Sequence, residues 1–422
     1  MTVTVSGNKL TGRTAVIASK SSIHRLLICA ALCDTPTVIE HVSYSQDIEA
    51  TVNCIQAALA DVVCEQERII VTPRMPRTVG ALLDCGESGS TLRFLLPIIA
   101  AIGGGRFTGR GRLSQRPLTP IYDLLEANGC CLSEEGHFPI SVNGRLVGHD
   151  FTVDGTISSQ FVSGLLMAAP LLGDGCRIRV TGEMTSFPYI ALTVEAMARF
   201  GVSVYRDGQS FTVRGQYRSS GSVMAEGDWS NAAFWLVGAA ISHSADYRLT
   251  GVAPESLQGD RRLVNLLCEA GFSITEQTGE WQVDGSPKQA LHINAADIPD
   301  LVPILSVLAT TLPGETVIDN AARLIHKESN RLQSTHAMIT ALGGTVTETA
   351  DGLLLGPSRL RGGTVDGCND HRIVMSAAIA ALVCEGPVTI SGAEAVSKSY
   401  PHFFEELEKR GVQVCRQFGE EN

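Results

Sequence analysis

Lysines and arginines are closely spaced in three segments of this sequence. Residues 20–25 (KSSIHR) place a lysine and an arginine just over one helical turn apart, residues 110–117 (RGRLSQRP) hold three arginines, and residues 327–331 (KESNR) place two cations around a carboxylate. Like charges this close repel one another unless water surrounds them or a bound anion neutralises them. Each segment alone is compatible with a solvated helix end or loop, so only their combination predicts anion binding.

Hydroxyl groups and glycines form a second kind of segment, suited to phosphate. Residues 85–93 (CGESGSTLR) place glycines before an apolar run, and residues 158–160 (SSQ) and 185–189 (TSFPY) place hydroxyls before later runs. A helix start exposes backbone N–H groups that have no acceptor within the helix, which makes it a site for anions. A single glycine-rich cap is weak evidence, but its recurrence beside cations predicts that phosphate monoesters bind.

Further charged residues extend this pattern into the second half of the chain. Residues 369–372 (NDHR) and Lys398 add cations, and Glu328 is a carboxylate whose proton affinity its neighbours would tune. No P-loop, dinucleotide-binding or metal-ligand spacing is present. The remaining chemistry is the binding or transfer of small phosphorylated acids.

Length and charge exclude several classes of protein. The 422 residues are 44% hydrophobic and carry a net charge of -11, which argues against nucleic acid or an anionic membrane surface as the main partner. Residues 1–12 lack the basic and apolar segments of a signal peptide, so we expect none, and no apolar run is long enough for us to expect a membrane span. Its twelve cysteines include no CxxC motif, so we expect free thiols, no zinc site and a cytoplasmic location.

The elements that must position these residues repeat along the chain. Polar residues open an alanine-rich apolar run at intervals of 69 to 71 residues, at Ser21, Ser90, Ser159, Ser230, Asp300 and Asp370. We predict that each opener is the N-cap of a buried helix, followed by a short strand, a more polar helix and a further strand. If residues 327–331 are helical, Lys327 and Arg331 share one face.

Apolar first helices surrounded by strands predict an α/β fold of the inside-out barrel type, with six repeats of about 70 residues in two lobes. We place the N-terminal lobe at residues 15–225 and the C-terminal lobe at residues 1–14 plus 226–422. The Ser/Gly-rich residues 219–227 precede the fourth helix, and the opening strand, Thr2–Ser6, comes before the first. The binding site is expected in the cleft between the lobes.

Nine short motifs follow one another along nearly the whole chain. They are KSSIHR from Lys20, SGSTLR from Ser88, QRP from Gln115, SSQF from Ser158, SFPY from Ser186, IPD ending at Asp300, KESNR from Lys327, NDHR from Asn369 and SKSYP from Ser397. In these motifs the sequence resembles the EPSP synthase family of enolpyruvyl transferases. The resemblance implies the two-lobed fold of that family and transfer of the enolpyruvyl group of phosphoenolpyruvate to the 5-hydroxyl of shikimate 3-phosphate, on the route to chorismate and aromatic amino acids.

The resemblance also implies a role for each matched residue. Shikimate 3-phosphate would be held by Lys20, Ser21, Arg25, Ser158, Ser159, Gln160, Ser186, Asp300 and Lys327. Phosphoenolpyruvate would be surrounded by Lys20, Gly89, Arg116, Gln160, Arg331, Arg372 and Lys398, and the herbicide glyphosate would compete with it. Asp300 would be the general base and Glu328 the general acid, with Lys20 and Lys327 stabilising charge.

The resemblance implies two small-molecule substrates, no metal and no cofactor. We also expect no nucleic acid partner, no membrane partner and a monomeric chain. Two positions depart from the family: Glu87 stands where many relatives carry Asn, and Arg323 where some use Asn to contact the phosphorylated substrate. One alternative is the sibling enzyme that acts on UDP-N-acetylglucosamine, although residues 110–116 lack the Cys typical of it. The other is a non-catalytic anion-binding protein, although Asp300 and Glu328 are both present.

Overall fold

The computed structural model describes residues 1–417, which fold into two compact units. The N-terminal unit is Ala18–Glu226, and the C-terminal unit is Met1–Ile17 together with the described residues from Gly227 onward. The chain therefore passes from one unit to the other twice. Within residues 1–417, none of the helices combines the length and the apolar character that a membrane span requires.

Helices and short strands follow one another along the whole described chain. The helices are α1 (Lys20–Leu32), α2 (Gln46–Ala58), α3 (Gly89–Ile102), α4 (Thr119–Ala127), α5 (Ser159–Ala168), α6 (Phe187–Arg199), α7 (Trp229–Ile241), α8 (Arg262–Ala270), α9 (Val302–Thr311), α10 (Arg331–Ala341), α11 (His371–Ala380) and α12 (Phe403–Lys409). The strands are β1 (Thr2–Ser6), β2 (Arg13–Ala15), β3 (Thr37–Glu40), β4 (Ala60–Cys64), β5 (Arg68–Pro73), β6 (Leu82–Asp84), β7 (Gly104–Thr108), β8 (Cys130–Leu132), β9 (Ile140–Gly144), β10 (Asp150–Asp154), β11 (Cys176–Thr181), β12 (Ser203–Asp207), β13 (Ser210–Arg214), β14 (Ser222–Met224), β15 (Arg248–Thr250), β16 (Phe272–Gln277), β17 (Glu280–Gly285), β18 (His292–Asn294), β19 (Thr316–Asp319), β20 (Thr345–Glu348), β21 (Leu353–Gly356), β22 (Gly363–Asp366), β23 (Val388–Ser391) and β24 (Gln413–Gln417).

In the described residues these strands form six four-stranded sheets. The N-terminal unit has the orders β14-β3-β5-β4, β6-β7-β9-β8 and β10-β11-β13-β12, and the C-terminal unit has β16-β17-β15-β2, β18-β19-β21-β20 and β22-β23-β1-β24. Each sheet contains one parallel pair, such as β6 with β7, and its other pairs are antiparallel. One pattern repeated six times agrees with the predicted repeat. The opening strand β1 lies between β23 and β24, which are the last two strands of the described residues.

The first helix of each repeat is buried on all sides. Every residue of α7 is buried, as expected for a helix without a polar face. In the C-terminal unit α7, α9 and α11 pack against one another. In the N-terminal unit α3 packs against α5, and Gly164 permits the close approach because a Cβ there would lie 2.5 Å from the backbone oxygen of Arg93. The inner helices thus form the cores around which the sheets are arranged.

The predicted helix starts are displaced by one or two residues in four of the six repeats. The N-caps are Ser19, Ser88, Ser158 and Asp228, whose side chains accept a backbone N–H, instead of Ser21, Ser90, Ser159 and Ser230. Several good capping residues follow one another at these places, so residue type alone could not select among them. Asp370 caps α11 as predicted, whereas Asp300 lies in the 3₁₀ turn Pro299–Leu301 that precedes α9.

The KESNR segment is not a helix. Lys327 follows the 3₁₀ turn Ala322–His326, and α10 begins only at Arg331, where the Asn330 side chain accepts the backbone N–H of Gln333. Lys327 and Arg331 therefore do not share a helical face. Both side chains contact the carboxylate of Asp300 instead.

Candidate active site

Lys20 is the first residue of α1, and it forms an ion pair. Its Nζ donates a hydrogen bond to Oδ2 of Asp47 at 2.7 Å, and Asp47 lies in the first turn of α2. Both side chains are largely buried, with 16% and 14% exposed. The carboxylate of Asp47 thus holds the Lys20 side chain at this helix start.

Arg25 lies one turn further along α1 and is almost completely buried. Its guanidinium donates to the backbone oxygens of Ser21 and Tyr189 at 2.6 and 2.9 Å, and to Oγ1 of Thr193 at 2.7 Å. It also lies over the ring of Phe94, 4.9 Å from the centroid. Burial lowers the pKa of Arg25 to about 10, so the group is still charged at neutral pH.

The start of α3 brings Gly89 against Arg116. Gly89 is the first residue of the helix, and a Cβ added to it would lie 2.5 Å from Nη1 of Arg116. Arg116 follows the 3₁₀ turn Gly111–Gln115 and is 8% exposed. The absence of a side chain at Gly89 therefore lets a guanidinium lie directly beside a helix N-terminus, where both attract an anion.

The remaining predicted residues of the N-terminal unit lie at the starts of α5 and α6. Gln160 bridges two inner helices, because its Nε2 donates to Oγ of Ser90 at 2.9 Å and its Oε1 accepts from Nη1 of Arg93 at 3.0 Å. Ser158 caps α5 by accepting the N–H of Gln160, and Ser159 beside it is buried. Ser186 precedes α6 in the left-handed conformation, with φ of 54°.

Glu87, the first departure from the family pattern, lies against the arginine-containing segment. Its carboxylate oxygens would be 2.6 and 2.9 Å from a Cβ at Gly111, so the carboxylate packs on that glycine. Together with Asp47 and Arg110 it lines a cavity of about 250 Å³. The second departure, Arg323, donates to the backbone oxygen of Ala296 in the C-terminal unit.

In the C-terminal unit three cations surround Asp300. Its Oδ1 accepts from Nη1 of Arg331 at 2.7 Å and from Nζ of Lys327 at 3.4 Å, and its Oδ2 lies 3.5 Å from Nη2 of Arg372. Burial alone would raise the pKa of Asp300, but Lys327, Arg372 and Arg331 together outweigh it and hold the pKa well below its usual range. Asp300 is therefore ionised, and it is a weak base while these contacts persist.

Arg331 is the centre of a complementary cluster of carboxylates. It is 1% exposed, and besides Asp300 it donates to Oε2 of Glu328 at 2.6 Å and to Oδ2 of Asp370 at 3.0 Å. Burial alone would lower the pKa of Arg331, but Asp370, Glu328 and Asp300 outweigh it and raise the pKa. The two predicted catalytic carboxylates, Asp300 and Glu328, thus share one buried guanidinium.

Arg372 is the second residue of α11, and Lys398, from a later 3₁₀ turn, contacts the segment just before this helix. Arg372 is 3% exposed, and within residues 1–417 its Nε and Nη1 have no hydrogen-bond partner. Lys398 donates to the backbone oxygen of Asn369 at 2.8 Å, just before the helix. Nearby, the buried Asp260 accepts a hydrogen bond from Ser230 at the start of α7. Burial and the charge of Asp300 raise the pKa of Asp260 to about 7.

Four charged residues of these clusters are absent from the sequence-based prediction of the site. Arg93 carried a visible signal, because an arginine inside the apolar run of α3 must find a partner when buried. Asp370 was recognised as a cap but not as a partner of Arg331. Asp47 and Asp260 gave no signal, because each meets its partner only through tertiary packing.

Two known sequences that are similar to this chain carry the same enzyme name, and they match nearly its whole length. A family model described as EPSP synthase (3-phosphoshikimate 1-carboxyvinyltransferase) matches residues 5–407. A 3-phosphoshikimate 1-carboxyvinyltransferase of Clostridium kluyveri is 38% identical over 422 residues, which covers 98% of this chain and 98% of the relative. One of Clostridioides difficile is 35% identical, covering 96% of this chain and 97% of the relative.

Solved structures share the fold. An EPSP synthase from Acinetobacter baumannii superposes with a TM-score of 0.80 at 24% identity, covering 98% of this chain and 100% of that one. The enolpyruvyl transferase NikO from Streptomyces tendae superposes with a TM-score of 0.76 at 17% identity and covers 98% of each chain. At these identities the likeness establishes the two-lobed α/β fold alone.

Proposed function

Because the chain belongs to the EPSP synthase family of 3-phosphoshikimate 1-carboxyvinyltransferases, we propose that it transfers the enolpyruvyl group of phosphoenolpyruvate to the 5-hydroxyl of shikimate 3-phosphate and releases phosphate. It is a transferase of the shikimate pathway. Membership of this family argues against the alternative acceptor UDP-N-acetylglucosamine and against a purely binding role.

We assign the polar residues described above, in both units, to the two substrates. Shikimate 3-phosphate is held by Lys20, Ser21, Arg25, Ser158, Ser159, Gln160, Ser186, Asp300 and Lys327. Phosphoenolpyruvate is held by Lys20, Gly89, Arg116, Gln160, Arg331, Arg372 and Lys398. The contact between Gly89 and Arg116 supports the second assignment, because a guanidinium and a helix start there attract the same anion.

The reaction requires two opposite proton transfers. The 5-hydroxyl gives its proton to Asp300 as its oxygen attacks the second carbon of phosphoenolpyruvate, and the methylene carbon takes a proton from Glu328. The product of this addition is a tetrahedral ketal phosphate. Loss of phosphate then reverses the protonation of the methyl carbon, while Lys20, Lys327 and the arginines stabilise the charge on phosphate and carboxylate groups.

The observation that carries this assignment is the set of contacts around Asp300. Three cations suppress its basicity, and each of them is also suited to the phosphate or carboxylate groups of the substrates. When substrate anions draw these cations away, the proton affinity of Asp300 rises. Glu328 must likewise loosen from Arg331 before it can hold and give a proton. Substrate binding thus activates both carboxylates.

The test is release of inorganic phosphate from phosphoenolpyruvate with either acceptor. We expect release with shikimate 3-phosphate and none with UDP-N-acetylglucosamine. Release with the nucleotide sugar, or with neither acceptor, would contradict the proposal. For the roles of the carboxylates, Asp300→Asn and Glu328→Gln should each lower kcat by at least about 100-fold, the usual range for loss of a general acid or base.

A matched control for these two variants is Asp207→Asn, at an exposed position in β12. It should keep the activity of the unaltered enzyme. Near-normal turnover in Asp300→Asn or Glu328→Gln would overturn the assigned role of that residue.

We further propose that the chain acts as a monomer in the cytoplasm, without a cofactor or a nucleic acid partner. All twelve cysteines are free thiols, which supports a reducing compartment. Sedimentation at a mass well above 44.9 kDa would contradict the monomer.

A further inference from the structure

A chain of four buried side chains connects the two helix starts that carry Lys20 and Gly89. Nδ1 of His24 in α1 lies 2.7 Å from Oγ1 of Thr51 in α2, which lies 2.6 Å from Oγ1 of Thr91 in α3. Thr91 donates to Oγ of Ser88, the N-cap of α3, at 2.7 Å. All four residues are at most 1% exposed.

The direction of these hydrogen bonds follows from counting protons. A hydroxyl has one proton to donate, and Thr91 uses its proton on Ser88. Thr91 must therefore accept from Thr51, and Thr51 then has no proton left for the imidazole. Consequently His24 must be the donor to Thr51, with its proton on Nδ1.

The surroundings of the ring agree with a neutral imidazole. In the part of the chain that the structure describes, Nε2 of His24 is buried without a hydrogen-bond partner. Burial, together with the charges of Lys20 and Arg25, keeps the pKa of His24 well below its usual range. A second proton on Nε2 is thus disfavoured, and the ring serves as a one-proton donor.

Both ends of this chain adjoin residues assigned to the substrates. Ser88 immediately precedes Gly89, and its Oγ also accepts the backbone N–H of Thr91 at 3.3 Å. This cap leaves the first amides of α3 available for a ligand. His24 immediately precedes Arg25 and lies one helical turn after Lys20.

We propose that His24, Thr51 and Thr91 are positioning residues whose one-way chain of hydrogen bonds to Ser88 holds the start of α3 in place beside the start of α1 and thereby sets the affinity for phosphoenolpyruvate. The inference rests on the proposed function, in which Gly89 contacts that substrate. The shikimate 3-phosphate contacts of Arg25 depend less on the chain, because Arg25 has its own bonds to Ser21, Tyr189 and Thr193.

The first experiment removes one hydroxyl from the middle of the chain. In Thr51→Val we expect the KM for phosphoenolpyruvate to rise about tenfold, with kcat and the KM for shikimate 3-phosphate changed less than about threefold. Thr51→Ser keeps the hydroxyl and should restore the KM. The matched control is Thr37→Val, which removes another buried hydroxyl of the N-terminal unit, one that donates to Ser219 at 2.7 Å.

The outcomes separate this inference from the proposed function. If the unaltered enzyme transfers the enolpyruvyl group but Thr51→Val has an unchanged KM, or Thr37→Val raises it equally, the positioning role is wrong. If the unaltered enzyme lacks the activity, the proposed function fails first.

A second measurement needs no enzymatic activity. Nitrogen NMR of the unaltered enzyme labelled at histidine, with His24 assigned by loss of its signal in His24→Asn, should show a neutral ring protonated on Nδ1. A ring protonated on Nε2, or a charged ring, would overturn the proposed direction of the chain.

Discussion

Opposite charges around Asp300 and Arg331 neutralise one another in the C-terminal unit. Lys327, Arg331 and Arg372 contact Asp300, while Glu328 and Asp370 contact Arg331. Buried charges of one sign would be costly, and this pairing avoids that cost. A phosphorylated substrate must therefore compete with the carboxylates for the same cations, which favours ligands with several negative groups.

Gly89→Ala tests the contact between α3 and Arg116. The added Cβ would lie 2.5 Å from Nη1 of Arg116 and force the guanidinium away from the helix start. We expect the KM for phosphoenolpyruvate and the inhibition constant of glyphosate both to rise, the latter by about tenfold, or about 1.4 kcal/mol. Steady-state kinetics with and without glyphosate measures both constants.

Gly356→Ala is the control for this variant, because its Cβ would meet only Thr345 at 3.5 Å. Unchanged inhibition by glyphosate in Gly89→Ala would exclude a close approach of the inhibitor at this position.

Asp260 gives a prediction about pH and stability. Its pKa is raised by burial and by Asp300 from 3.8 to about 7. The stabilising contribution of its protonated form is complete below about pH 3.8 and is lost as the pH rises through about 7. The asparagine cannot ionise and does not lose this contribution. The free energy of unfolding of Asp260→Asn minus that of the unaltered enzyme should therefore increase from pH 4 to pH 8 by at least about 1.4 kcal/mol, the equivalent of one pKa unit.

Urea unfolding at a series of pH values measures this difference. Asp207→Asn, at an exposed position, should show no such trend. A difference between Asp260→Asn and the unaltered enzyme that is equal at pH 4 and pH 8 would contradict the raised pKa.

For single residues, the sequence predicted which side chains carry charge but not which of them form ion pairs. The resemblance supplied Asp300, Glu328 and Arg331 by their motif, and the structure brings these three together. The sequence gave no indication that Lys20 is paired with Asp47. Pairing depends on packing between separate helices, which a linear pattern does not record.

The inner helices need small residues where their backbones meet. Gly164 in α5 lies against α3, and a Cβ there would come within 2.5 Å of the backbone oxygen of Arg93. Backbone cannot move aside as a flexible side chain can, so Gly164→Ala should force the two helices apart. We expect a loss of about 1–3 kcal/mol in the free energy of unfolding, the usual cost of overpacking.

Denaturant unfolding of Gly164→Ala beside Gly356→Ala checks this expectation. Equal stability of the two variants would show that the contact between α3 and α5 is not tight. Since Arg93 also contacts Gln160, a rise in the KM of either substrate is expected to accompany the loss of stability.

The repeat allowed the order of elements to be predicted, while their exact starts could not be. The short strand predicted after each buried helix is present, for example β3 after α1, β19 after α9 and β23 after α11. Helix starts were misplaced where serines follow one another, because Ser19 and Ser21 are equally good caps by type. Residues 327–331 are not helical as supposed, because Asn330 is the N-cap of α10 and that helix begins only at Arg331.

For the whole molecule, the first residues of the chain belong to its last sheet. Val3 and Val5 in β1 are fully buried between β23 and β24. Val5→Ala should lower the free energy of unfolding by about 2 kcal/mol, from lost burial plus a small cavity. Val63→Ala, at an exposed position in β4, should stay within about 0.5 kcal/mol of the unaltered enzyme.

Thermal or urea unfolding of Val5→Ala and Val63→Ala compares the two positions. If both variants lose the same stability, β1 does not contribute to the core of the C-terminal unit. The placement of residues 1–14 with the C-terminal lobe depended on periodicity alone, and β1 pairs with β23 and β24 of the C-terminal unit.

The pairing of Thr2 with Gln417 brings the two termini of the described chain side by side. They could be joined by a short linker, and new termini opened between Glu226 and Gly227, where one unit ends and the other begins. In such a circular permutant each unit would be a single uninterrupted stretch, and the polypeptide would pass between them once instead of twice.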